Sequence, residues 1–143
     1  MTVLVVDDEP NDVEAICTPL EKAGFLVFSA DSIKSALQIF RHNARGFDMA
    51  VLDISLPEKN GVDLYQELLA LNPNLKVLFV SGHVGAEIIR FYGLKATNRH
   101  FLQKPFDGAV LLTRVREIIE SPEQLRLEDF QAQPRETRSA NSV

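Results

Sequence analysis

The sequence predicts an α/β fold: a parallel sheet covered by helices on both faces. Three observations predict it. Short apolar runs rich in β-branched residues alternate with segments of helical period through residues 1–120. The runs are continuous rather than alternating, as in strands buried on both faces. Several of them end in charged or polar residues, and the C-terminal ends of strands are where open α/β sheets bind ligands.

Thr2 to Val6 reads as the first strand, bounded by Asp7-Asp8. Glu9-Pro10-Asn11-Asp12 supplies turn and capping residues, and Val13, Ile16, Cys17 and Leu20 recur with the helical period until Gly24 stops it. Phe25 to Ser29 is the second strand, and Ile33, Ala36, Leu37 and Phe40 mark a helix opened by Asp31 or Ser32. Asp48 to Asp53 is the third strand, Val62 to Leu71 the third helix, Lys76 to Val80 the fourth strand and Val84 to Tyr92 the fourth helix. His100 to Gln103 and Gly108 to Glu120 complete the pattern as a fifth strand and a fifth helix. Parallel strands need helical crossovers, and these pack right-handedly onto the sheet. Beyond residue 120 the character changes. Pro122, Pro134, many charges and the closing Thr-Arg-Ser-Ala-Asn-Ser-Val make residues 121–143 a polar tail, expected to be largely disordered. The alternative is one short helix over Pro122 to Gln131, with Leu125, Leu127 and Phe130 as contacts.

A chain of 143 residues with 45% apolar content suffices for one packed domain and little more. Its net charge of -5 argues against a sequence-independent nucleic-acid surface, which needs clustered Lys and Arg. Cys17, the single cysteine, falls among apolar residues at helical spacing and reads as inert packing in a reducing compartment. No stretch approaches the ~18 consecutive apolar residues of a membrane span, and Met1-Thr2-Val3-Leu4 lacks the basic region of a secretory signal. A cytoplasmic protein without membrane insertion is expected.

The chemistry starts with Asp7, Asp8 and Asp53, which the sheet brings to one edge, where mutual repulsion calls for a compensating cation. Mg²⁺ suits carboxylate and carbonyl oxygens and commonly bridges them to a phosphoryl group, with Asp8 and Asp53 as direct ligands. Alone, Asp7-Asp8-Glu9 reads as a solvated capping turn. Asp53 is more specific, because Ser55, Asn60 and Gly61 already supply the turn that follows the strand. Lys104-Pro105 brings an ammonium to the same edge, and Ser81-Gly82 brings a hydroxyl and a position that permits close backbone approach. Together they form a site for an acyl phosphate: the carboxylate attacks phosphorus while the cations neutralise developing charge.

Val5-Val6-Asp7-Asp8-Glu9-Pro10, Leu52-Asp53-Ile54-Ser55-Leu56-Pro57 with Gly61, Val80-Ser81-Gly82 and Phe101-Leu102-Gln103-Lys104-Pro105-Phe106 together resemble a response-regulator receiver domain over about residues 2–120. The resemblance implies a flavodoxin-like (βα)5 fold with strand order 2-1-3-4-5. It implies Asp53 as phosphoacceptor, Asp8 as direct Mg²⁺ (or Mn²⁺) ligand, Asp7 as a direct or water-mediated acid, and the Ser55 backbone carbonyl as the remaining protein ligand. Ser81 matches the switch hydroxyl, Phe101 the switch aromatic, and Lys104 the active-site lysine, whose following peptide bond is cis in the family. Ser55 and His83 occupy the positions that tune dephosphorylation. Plain core packing is the alternative for Phe101, and His42 and His100 are given no role.

The implied function is a phosphoacceptor switch rather than a metabolic enzyme. A phosphohistidine on a sensor histidine kinase or histidine phosphotransfer protein donates to Asp53, and the domain catalyses only its own phosphorylation and dephosphorylation. Ser81 and Phe101 then remodel the face of the fourth helix, fifth strand and fifth helix for an unknown output partner. A monomer or weak homodimer is expected. No recognisable output domain follows residue 120, so the chain reads as a stand-alone receiver or one cut from a longer protein. Its phrasing is similar to receivers attached to hybrid histidine kinases. Alternatives from other classes are a pseudo-receiver scaffold, an aspartyl-phosphate phosphohydrolase, disfavoured because Ser55 stands where a second acid is wanted, and a flavin binder, disfavoured because Asp7-Asp8-Glu9 repels phosphate.

Overall fold

The computed structural model describes residues 1–82 and 100–122. Five parallel strands form one sheet: β1 (Thr2–Val6), β2 (Leu26–Ala30), β3 (Met49–Asp53), β4 (Lys76–Ser81) and β5 (Phe101–Gln103). Their order is β2-β1-β3-β4-β5, so the flavodoxin-like, receiver-type fold is as the resemblance implies. Four α-helices lie among the described residues: α1 (Pro10–Lys22), α2 (Ile33–His42), α3 (Gly61–Leu71) and α4 (Gly108–Glu120), the last being the predicted fifth helix. The predicted fourth helix at 84–92, His83 and the tail beyond residue 122 lie outside the described residues.

The continuous apolar strands are explained by two cores. Leu4, Val6, Ala50, Leu52, Val77 and Phe79 face α2 and α3, whereas Val3, Val5, Met49, Val51, Leu78 and Val80 face α1 and α4. Alternation of side chains along each strand sends successive residues to opposite cores, and both are apolar, so no polar residue interrupts the runs. Fully burying each of the Val, Leu, Met and Phe side chains among them is worth about 1.5–3 kcal/mol.

Element ends follow local chemistry. Glu9 caps α1 through its side chain, with Pro10 at the first helical position, so the helix opens inside the stretch read as turn. Ser32 rather than Asp31 caps α2, accepting the Ser35 N–H at 3.1 Å. Gly24 closes the α1 turn at φ +96°, a conformation that glycine alone adopts readily. β2 runs one residue later than predicted, and β4 extends to Ser81, because Ser81 pairs in register with Gln103. Asp48 is not part of β3; its carboxylate instead accepts the Thr2 N–H at 2.8 Å. Lys76 reaches from the start of β4 to the carbonyls of Ile118, Ile119 and Ser121, placing a cation on the C-terminal end of α4. Cys17 packs against the α1/α4 core, and burial, aided by Glu21, pushes its thiol up, consistent with inert packing.

Candidate functional site

The register places the site. Val6 pairs with Leu52 between the adjacent strands β1 and β3, so the next residues, Asp7 and Asp53, stand side by side at the C-terminal edge of the sheet. This is the point where the strand order reverses, the place where such sheets bind ligands. Strand alternation puts Asp7, Asp53 and Lys104 on the α1/α4 side, while Ser81 follows Phe79 and accompanies Phe101 on the α2/α3 side.

Asp7 is wholly buried, Asp53 retains 8% of its side-chain exposure, and Asp8 is exposed. The two buried acids are held in the same way. Asp7 Oδ1 accepts the Glu9 N–H at 3.0 Å, and Asp53 Oδ1 accepts the Ser55 N–H at 2.9 Å, each bond closing a turn two residues on. Their Oδ2 atoms both meet the Lys104 ammonium, at 2.8 Å for Asp7 and 3.3 Å for Asp53. An aspartate at this strand end thus closes a turn with one oxygen and meets the Lys104 ammonium with the other.

Gly61 lets the β3 turn close. Its N–H donates to the Ile54 carbonyl at 2.9 Å, and a Cβ there would stand 2.3 Å from the Asp53 carbonyl oxygen. Lys104 is placed by its own N–H, which donates to the Ser81 carbonyl at 2.7 Å, and the Lys104–Pro105 bond is cis, as the resemblance implies. Ser81 is buried at the end of β4, one residue past Val80, the register partner of Asp53. At Gly82 nothing among the described residues lies within 4 Å of an added Cβ. Phe101 is buried in the α2/α3 core, stacked on Phe79 with ring centroids 5.7 Å apart. Its carbonyl accepts from Arg114 of α4. His100 is likewise buried.

One member of the site escaped the sequence reading. Asp12 sits in the stretch that reads as the turn before α1, yet its Oδ2 lies 2.8 Å from Lys104 Nζ, as close as that of Asp7. The available signal was position: Asp12 precedes Ile16 by one helical turn and so shares the apolar stripe of α1. An acid on that stripe, at the end nearest the strand tips, needs a partner.

Charge sets the behaviour of the cluster. Burial pushes the Asp7 carboxyl up from its ordinary 3.8, and the field of Asp53 adds to this. The hydrogen bonds from Lys104 and Glu9 offset it only in part. For Lys104, burial disfavours the charge, but hydrogen bonds to Asp12 and Asp7 and the field of Asp53 more than offset it, so the ammonium is held above its ordinary value. The folded state therefore binds a proton at Asp7 more tightly than the unfolded chain does. Ionised Asp7 costs stability, and stability falls as pH rises from 3.8 through the raised value. Asp7→Asn is expected to stabilise the cation-free protein at pH 7, the gain vanishing below pH 3.8, where both states are protonated. Thermal unfolding across that range checks it, and a loss of stability at neutral pH would refute it.

Asp7, Asp8 and Asp53 offer ligand oxygens that all lie within 4.8 Å of one another. The donor set is all carboxylate, a match for a hard, oxygen-seeking divalent cation and a poor one for metals that prefer imidazole or thiolate. The buried acids, one of them disfavoured in its charged form, fit the same conclusion.

A family model for the response regulator receiver domain matches residues 3–116. The chain belongs to that family and is a receiver domain of two-component signalling. It is 34% identical over 119 residues to the probable transcriptional regulatory protein TcrX of Mycobacterium tuberculosis, covering 83% of this chain and 50% of that protein. It is 35% identical over 120 residues to the sensor kinase CckA of Brucella abortus, covering 83% of this chain and 12% of that protein. Among solved structures, a response regulator from Thermotoga maritima matches with a TM-score of 0.72 and 31% identity, over 84% of this chain and 98% of that one. The chain spans about half the length of the transcriptional regulators it matches. No helix among the described residues is long and apolar enough to cross a membrane.

Proposed function

We propose that the domain is a phosphoacceptor switch in which Asp53 receives a phosphoryl group from a phosphohistidine on a sensor kinase or histidine phosphotransfer protein. The observation that carries this is the Lys104 ammonium bridging Asp7 and Asp53 at the strand tips, beside an acid triad suited to a divalent cation. A carboxylate oxygen of Asp53 attacks phosphorus, the P–N bond breaks, and its electron pair returns to the imidazole. Asp8, Asp53 and the Ser55 carbonyl, with Asp7 direct or through water, would hold Mg²⁺ or Mn²⁺, which would supply neutralising charge for the phosphoryl oxygens. Lys104 shifts from the Asp53 carboxylate to a phosphoryl oxygen, exchanging one charge-assisted hydrogen bond for another. Hydrolysis follows when water attacks phosphorus, restoring the carboxylate and releasing phosphate. Ser55, exposed beside Asp53, leaves the water a path.

The readout runs through Ser81 and Phe101. Ser81 moves to the new phosphoryl oxygens, and the space it leaves favours the inward position of Phe101. Phe101 already packs inward against Phe79, so phosphorylation raises the population of an arrangement the fold accommodates beforehand. The face it changes comprises the predicted fourth helix, β5 and α4.

Acetyl phosphate with Mg²⁺ tests the reading. Intact mass is expected to show one phosphorylated species in the wild type and none in Asp53→Asn; a phosphorylated mutant places the acceptor elsewhere, and an unmodified wild type favours a pseudo-receiver scaffold. A second reading, the receiver module of a hybrid histidine kinase, is favoured by the likeness to the sensor kinase CckA. Phosphotransfer profiling separates the two: a hybrid module exchanges phosphoryl groups rapidly with a phosphotransfer protein, whereas an output regulator takes them from a separate kinase.

A further inference from the structure

Lys104 has three ammonium donors and three carboxylate acceptors: Asp7, Asp12 and Asp53, at 2.8, 2.8 and 3.3 Å. Two of these acceptors also belong to the cation triad, whose members are Asp7, Asp8 and Asp53. Asp12 alone among them does not. It stands on the first turn of α1, the other two on the tips of β1 and β3, so the ammonium is pinned between helix and sheet.

We propose that Asp12 is a positioning residue that tethers Lys104 beside the acid triad and makes room for the divalent cation. The inference rests on the switch reading above. A cation drawing on the oxygens of Asp7 and Asp53 competes with Lys104 for those same atoms. The Lys104 side chain is only 17% exposed, so an ammonium displaced from both acids and given no other acceptor would be left poorly solvated. Asp12, with its carboxylate one-third exposed and outside the triad, accepts that ammonium without giving up a cation ligand. It keeps Lys104 within reach of Asp53, where a phosphoryl oxygen can later collect it. Remove Asp12 and the strongest acceptors left to Lys104 are the triad acids themselves. The lysine then holds them against the cation.

The test is Mg²⁺ titration by calorimetry of the full chain, wild type and Asp12→Asn, each with Lys104 present and as Lys104→Met. With Lys104 present, Asp12→Asn is expected to weaken Mg²⁺ binding on the order of tenfold, the scale seen when an outer partner of a metal site is lost. In the Lys104→Met background the same substitution should cost about twofold or less, because only the screened field of a partly exposed carboxylate remains. Unchanged affinity in Asp12→Asn overturns the proposal, as does an equal loss in both backgrounds, which would mean that Asp12 acts by its charge alone. Asp12→Glu, which keeps the charge and the reach, should recover most of the affinity. Asp12→Ser provides the same reading if the asparagine variant folds poorly. Wild-type protein that neither binds Mg²⁺ nor accepts phosphate on Asp53 would sink the switch reading itself, and this inference with it. Wild-type binding with Asp12→Asn unaltered sinks only the role of Asp12.

Discussion

Lys104→Met is expected to destabilise the cation-free protein on the order of 3 kcal/mol at neutral pH, the scale of removing one partner from a buried ion pair. Lys104 is the shared partner of Asp7 and Asp53, and Asp7 is wholly buried, so the substitution leaves carboxylates facing each other with no cation between them. The pH dependence has a definite sign. The folded-state value of Lys104 is raised above its ordinary 10.5, so its contribution is fully present below pH 10.5 and is lost only as pH rises beyond it. On the acid side the deficit of the mutant shrinks as Asp7 takes up a proton. Urea unfolding at several pH values, with and without Mg²⁺, measures both effects. Added Mg²⁺ is expected to recover much of the loss, since a cation that binds only the folded state stabilises it by about 2.7 kcal/mol at a hundredfold excess over Kd. An unchanged midpoint in Lys104→Met would mean that the three carboxylates do not depend on the ammonium.

Gly61→Ala is the second large effect. The added Cβ would lie 2.3 Å from the Asp53 carbonyl oxygen and 3.0 Å from its carbon, and backbone cannot swing aside as a flexible side chain can. Overpacking of this kind costs about 1–3 kcal/mol, and relief comes by moving the β3–α3 turn. That turn carries the Ser55 N–H that holds Asp53 Oδ1. Stability and Mg²⁺ affinity are therefore expected to fall together. An alanine variant that melts and binds as the wild type does would show that the turn has slack the geometry denies it.

Much of this site is legible in the chain because strand ends announce themselves. A continuous apolar run that stops at a carboxylate, as at Val6-Asp7 or Leu52-Asp53, marks both a buried strand and the residue presented at its tip. Helix starts were less legible where two candidate caps were adjacent. Asp31 and Ser32 are equally good on paper, and the backbone geometry that favours Ser32 is not written in composition. Asp48 looked like strand and serves instead as an acceptor for Thr2, a choice made by the neighbouring strand.

Asp12 shows the boundary most clearly. Its residue type and its place near a helix start match a capping or dipole role, and local sequence holds no hint of Lys104, 92 positions away. By itself the sequence determined the alternation of strands and helices, the acids and lysine at the strand tips, and the kind of cation they suit, because period, burial and oxygen chemistry are local properties. Only the tertiary structure decided which carboxylates share that lysine and which oxygen of each meets it. Those are matters of distances across adjacent strands and from helix to sheet, set by register and packing rather than by any one segment.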